Sequence, residues 1–161
     1  DEKTTIGSLA AQRQLETLEA QVADAKQKGA TIVIGGQRPD NLEGAYYLPT
    51  IITDTTPDMR VVSEEVFGPI LPVITFSTEE EALELAHATE YGLSAFVYSK
   101  DNERAERVAH QLQAGQVSIN GCSYFSTNAP FGGYKKSGIG RVKGDIGFMQ
   151  VAQAKVISRP I

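Results

Sequence analysis

Three times along this chain, a stretch with helical apolar spacing runs into a glycine and then into a short apolar run. That order constrains the fold more than any other feature, because helices alternating with strands need crossovers and lie against a sheet. The first helix is expected over about residues 9–28, where Leu15, Leu18, Val22 and Ala25 form one apolar stripe. Gly29 is a natural left-handed stop, and Thr31–Ile34 then reads as a buried strand closed by Gly35-Gly36. The second helix can be capped by Ser77 or Thr78, and Glu79–Glu81 follow where the helix dipole favours carboxylates. It ends near Tyr91-Gly92, ahead of a strand over Ser94–Ser99. The third helix is capped by Asp101 or Asn102, buries Ala105, Val108, Ala109 and Leu112, and can pair Glu103 with Arg107 on its outer side. Gly115 stops it before a strand in which Val117 and Ile119 alternate with Ser118. Tyr46–Thr53 and Pro69–Phe76 are further strand candidates, residues 121–147 are loop-rich, and a last strand is expected over Ala152–Ile157. The expectation is an α/β fold, a twisted sheet of parallel type with flanking helices. No composition break marks a second domain.

At 161 residues the chain is long enough for one domain with a real core, burying roughly two-thirds of its unfolded surface. The net charge is −5, and the only basic cluster (Lys135-Lys136 with Arg141 and Lys143) is short and set among glycines, so no nucleic-acid partner is expected. The longest apolar runs, such as Thr31–Ile34 and Ile70–Ile74, are too short to cross a bilayer. A single cysteine, Cys122, excludes an intrachain disulfide and a multi-cysteine metal site, and fits a reducing compartment. Asp1–Thr5 carries neither an initiator Met nor the order of a signal peptide, so the chain reads as a piece of something longer.

Gly132-Gly133-Tyr134-Lys135-Lys136-Ser137-Gly138-Ile139-Gly140 invites a phosphate-loop reading that fails on spacing. A Walker loop needs Lys-Ser or Lys-Thr directly after its second spaced glycine, but Ile139-Gly140 follows Gly138. The dinucleotide fingerprint would need glycine at 143, which is Lys, and no strand precedes it. A tight turn needing positive φ is the better reading. Cys122, after Asn120-Gly121, has no activating neighbour in sequence, and His87 and His110 lie in separate helices. Neither a zinc site nor a Ser–His triad can be assembled, so no metal ligand and no catalytic residue is assigned. Glu64-Glu65-Val66-Phe67-Gly68-Pro69 leaves two readings open. It is either a solvated acidic turn running into a strand, or a carboxylate that can grip adjacent ribose hydroxyls beside a phenylalanine that can lie against a flat ring.

Taken in order and spacing, these segments resemble the aldehyde dehydrogenase superfamily over almost the whole chain. The resemblance runs through Gly29-Ala30, Gly35-Gly36, Pro49-Thr50-Ile51-Ile52, Glu64–Pro69 and Glu90-Tyr91-Gly92-Leu93. It continues in Asn120, Pro130-Phe131-Gly132-Gly133-Tyr134-Lys135-Lys136-Ser137-Gly138 and Gly140-Arg141. The resemblance implies the C-terminal part of a catalytic domain over residues 1–152 and a terminal oligomerisation strand over 153–161. It implies oxidation of an aldehyde to a carboxylic acid with NAD or NADP: a cysteine thiolate attacks the carbonyl, hydride passes to the nicotinamide, and a glutamate activates water. By the same resemblance Glu65 binds the nicotinamide-side ribose, Phe67 packs near that ribose and ring, Phe131 and Phe125 wall the aldehyde tunnel, and Asn120 opens the loop framing it. In the family pattern the nucleophilic cysteine, the general-base glutamate and the oxyanion-hole asparagine all precede Asp1, so the segment alone is expected to be inactive. Cys122 does not match the nucleophile, and Arg141-Val142-Lys143-Gly144 departs from the family's usual Arg-Glu order. The implied partners are a small aldehyde and further copies of the protein (a dimer or tetramer), with no membrane, in the cytoplasm. Two other readings remain: a non-catalytic structural or oligomerisation fragment, and a stand-alone nucleotide-binding module.

Overall fold

The structure, a computed structural model, describes residues 4–122 and 126–160. The chain divides into two compact units, 1–77 and 78–161, a division that no composition break announces.

The first unit is built on helix α1 (Gln12–Gln27), whose expected stripe of Leu15, Leu18, Val22 and Ala25 is fully buried. Gly29 takes φ +94°, the expected left-handed stop. Strands β1 (Thr31–Ile34), β2 (Thr50–Thr53) and β3 (Ile70–Pro72) form one sheet in that order, β1–β2 antiparallel and β2–β3 parallel. A four-residue helix, α2 (Arg60–Ser63), makes the crossover between β2 and β3. The α1 stripe meets Tyr47, Ile52, Met59 and Val61 in the core. Each such aliphatic side chain contributes roughly 1.5–3 kcal/mol on burial, so this core outweighs any surface ion pair of the unit. Thr31–Ile34 does form a strand, but it is not buried: Val33 and Ile34 are each 59% exposed. It is an edge strand of a mixed sheet with one face covered, and a short apolar run does not reveal how many faces are covered.

In the second unit, α3 (Glu79–His87) is capped by Thr78, whose side chain accepts from the Glu81 N–H. Strands β4 (Tyr91–Gly92) and β7 (Tyr134–Lys135) pair antiparallel, and β5 (Ser94–Val97) and β6 (Gln116–Ile119) pair parallel. Helix α4 (Asn102–Gln111), capped by Asp101, crosses between β5 and β6 and packs on both. Of its expected buried set only Ala105 is fully buried. Arg107 does not pair with Glu103; it reaches Glu79 on α3 with two hydrogen bonds of 2.9 and 2.7 Å. A bidentate partner on another helix displaces the single contact along its own. Gly115 packs against the backbone of Gly132 so closely that a Cβ would stand 1.7 Å from that carbonyl oxygen. The stretch 121–147, expected to be loop-rich, ends inside a short helix, α5 (Gly144–Gln150). No strand forms over the expected Ala152–Ile157; Val156 and Ile157 are 90% and 87% exposed.

Candidate functional site

The segment from Glu64 to Pro69 leaves α2 and enters β3. Asp24 on α1 accepts the Arg60 N–H at 2.9 Å, starting α2 from outside it. Glu64 stands at the end of that helix in extended conformation and is gripped by Arg60, with hydrogen bonds of 2.7 and 3.1 Å. The Arg60 guanidinium holds the Glu64 carboxyl below the usual carboxylate range, and the Gln21 amide adds to this. The neighbouring Glu65 is exposed, and its carboxylate has no partner among the described residues. Its carbonyl accepts from Gln21 Nε2 at 3.3 Å, and the Phe67 carbonyl accepts from Gln14 Nε2. Phe67 is 63% exposed. Glu65 and Phe67 line one open cleft of about 370 Å³, whose other wall is the start of α1 through Arg13, Gln14, Thr17 and Leu18. The α1 wall was not anticipated from the sequence.

The second unit holds a cleft of about 450 Å³ along β6, with Ser118, Cys122, Ser126, Phe131 and Lys143 among its lining residues. Phe131 forms an antiparallel bridge with Val142, with hydrogen bonds of 2.7 and 2.8 Å. Lys143 Nζ lies 5.8 Å from the Phe131 ring centroid. Asn120 does not line this cleft; its side chain turns to Ser99, accepting from that N–H and donating to that carbonyl, both at 2.9 Å. Phe125 lies outside the described residues. Cys122 is exposed, and no histidine or carboxylate shares its cleft among the described residues. His87 is used structurally, its Nε2 accepting from the Gln113 N–H. No group of three potential metal ligands occurs among the described residues, and no helix is long and apolar enough to cross a membrane.

The glycine-rich run after Phe131 is a turn. Gly138 and Gly140 take positive φ, Lys135 Nζ donates to the carbonyls of His87 and Thr89, and Ser137 Oγ accepts the Gly92 N–H at 2.9 Å. Its polar groups close β7 onto β4.

The aldehyde dehydrogenase family pattern matches residues 1–157. The chain is 45% identical to a succinate-semialdehyde dehydrogenase [NADP(+)] of Deinococcus radiodurans, over 98% of this chain and 33% of that protein. It is 44% identical to a chloroplastic betaine aldehyde dehydrogenase of Atriplex hortensis, over 100% of this chain and 32% of that protein. Among solved structures, an NAD-dependent aldehyde dehydrogenase of Sinorhizobium meliloti superposes with a TM-score of 0.92 at 39% identity, covering 100% of this chain and 33% of the other. A betaine aldehyde dehydrogenase of Staphylococcus aureus in complex with NAD+ gives 0.87 at 43% identity, covering 93% and 30%. The chain thus spans about a third of the length of the relatives it matches. It belongs to the aldehyde dehydrogenase family.

Proposed function

We propose that the chain is the C-terminal part of an enzyme that oxidises an aldehyde to a carboxylic acid with NAD or NADP. In this reading Glu65 and Phe67 supply the nicotinamide-ribose contacts, and Phe131, Phe125 and the loop opened by Asn120 wall the aldehyde tunnel. The observation that carries it is the division of labour between two adjacent carboxylates. Glu64 is consumed by Arg60, whereas Glu65 stands unengaged beside an exposed aromatic ring in one cleft. A carboxylate can accept from both hydroxyls of a ribose diol while the ring covers an apolar face, so these residues fit the group. When bound, NAD or NADP supplies the hydride acceptor.

The carbonyl is attacked by a cysteine outside this segment, forming a thiohemiacetal, and a glutamate, also outside it, activates the hydrolytic water. This segment does not turn over alone. Glu65 orients the ribose and thereby the face presented to the aldehyde, while Phe131 excludes water from the tunnel. Several apolar side chains stand in the open, Phe96, Phe148, Met149 and Val151 among them, which suits a segment that works inside a larger assembly. That assembly is a cytoplasmic homo-oligomer, a dimer or tetramer.

Glu65→Gln in the full-length enzyme tests the proposal. Misplacing the ring by about 1 Å costs on the order of a hundredfold in rate. Single-turnover NADH formation is therefore expected to fall far more than cofactor affinity. Glu64→Gln, which loses the charge facing Arg60 but keeps an amide oxygen that can accept from Gln21 and Arg60, is expected to change either quantity much less than Glu65→Gln does. Normal turnover in Glu65→Gln with a damaged Glu64→Gln overturns the assignment.

A further inference from the structure

Gln21 is fully buried on the apolar stripe of α1, among Leu18, Val22 and Ala25. Its Nε2 donates at 3.3 Å to Glu64 Oε2 and at 3.3 Å to the Glu65 carbonyl, and its Oε1 has no partner. Both groups it faces are acceptors, so the amide can present only its nitrogen to them, and its oxygen is left buried without a partner. As a filler this is a poor choice, because an apolar side chain of similar volume would avoid burying an unpartnered oxygen. What the amide adds is direction: it ties the Glu65 carbonyl and the Glu64 carboxylate to one point on α1.

We propose that Gln21 is a positioning residue, whose buried amide holds the Glu64–Phe67 segment on α1 and so determines where the Glu65 carboxylate stands. The proposal rests on the reading of Glu65 given above. Two neighbours on the same helix face complete the attachment. Gln14, seven positions earlier, donates to the Phe67 carbonyl, and Leu18 between them lies where a Cβ on Gly68 would come 2.2 Å from its Cδ1. Arg60 holds the Glu64 carboxylate through two further hydrogen bonds. With its carbonyl bonded to Gln21, and with Glu64 and Phe67 held on either side, Glu65 is left chiefly its own side-chain torsions with which to wander.

Gln21→Met keeps the volume and removes both hydrogen bonds; Gln21→Leu is the second variant should Met disturb packing. In this chain, 15N relaxation is expected to show backbone order parameters at Glu65–Phe67 falling from about 0.85 to below about 0.6, with the melting temperature not lowered. In the full-length enzyme, single-turnover hydride transfer is expected to fall about tenfold or more, while cofactor affinity moves less than about threefold. Unchanged order parameters in both variants overturn the proposal. So does normal hydride transfer in Gln21→Met when Glu65→Gln is slow. Normal transfer in Glu65→Gln as well would sink the ribose reading instead, and the order parameters would still decide whether Gln21 holds the segment.

Discussion

Asn120 completes the β5–β6 ladder with its side chain: its amide exchanges two 2.9 Å hydrogen bonds with the backbone of Ser99, one in each direction. Its own N–H donates to the Val97 carbonyl, and its backbone sits at φ +52°, a conformation that asparagine tolerates better than most residues. Asn120→Ala loses both bonds and strains the backbone, and should cost about 1–2 kcal/mol in urea unfolding of the chain. Asn120→Asp keeps the acceptor and loses the donor, so a smaller loss is expected. Wild-type stability in the alanine variant would show that the pair is decoration.

Gly68 should be intolerant for reasons of space alone. Its φ is not in the left-handed region, yet a Cβ would stand 2.2 Å from Leu18 Cδ1. Gly68→Ala is expected to destabilise by about 1–3 kcal/mol. In a Leu18→Ala background, which itself costs about 2–5 kcal/mol, that penalty should largely vanish, with a coupling energy above about 0.5 kcal/mol. Additive losses would place the strain elsewhere.

The Glu79–Arg107 pair predicts an acid limb of stability. The hydrogen bonds and charge of Arg107 hold the Glu79 carboxyl below its ordinary value. A depressed folded-state value means that the unfolded chain binds the proton first. The stabilisation is therefore fully present above the unfolded value of about 4.3 and is lost as pH falls through the folded value. The stability difference between wild type and Glu79→Gln should shrink below that pH and also in high salt, because both side chains are solvent-accessible. A difference that persists at pH 2 would rule out the ion pair as its source.

Residues 153–160 are exposed and carry no strand within the chain; we propose that their hydrogen-bonding groups are met by another subunit. Deleting 153–161 from the full-length enzyme should convert the oligomer to a smaller species with unchanged secondary structure, read by light scattering and circular dichroism. An unchanged mass removes the assembly role.

Legibility followed the range of the forces involved. The α1 stripe and the caps at Thr78 and Asp101 depend on neighbours within a turn or two, and they stand where the sequence puts them. Helix α2 was not legible, because its first N–H is satisfied by Asp24, 36 positions away. Helix α5 carries Gly144 and Gly147 in its own span, against local propensity; Gly147 is needed because Val142 leaves no room for a Cβ. Arg107 had a sequence neighbour in Glu103 and a better partner on α3. In the candidate site, the residue types at Glu65 and Phe67 could be read through the family resemblance, but the cleft wall on α1 could not. Gln21 faces acceptors 43 and 44 positions on, which no local pattern encodes.

The closure of β7 onto β4 has a consequence for how the chain is made. The N–H of Gly92 waits for Ser137, 45 residues later in the chain. At ordinary rates of translation that partner leaves the ribosome roughly 2–9 s after Gly92 does. The first unit has its whole sheet available well before then. A nascent chain therefore passes through an interval in which residues 1–77 can be folded while the β4 edge is still bare, and that interval is when a holding chaperone has most to do.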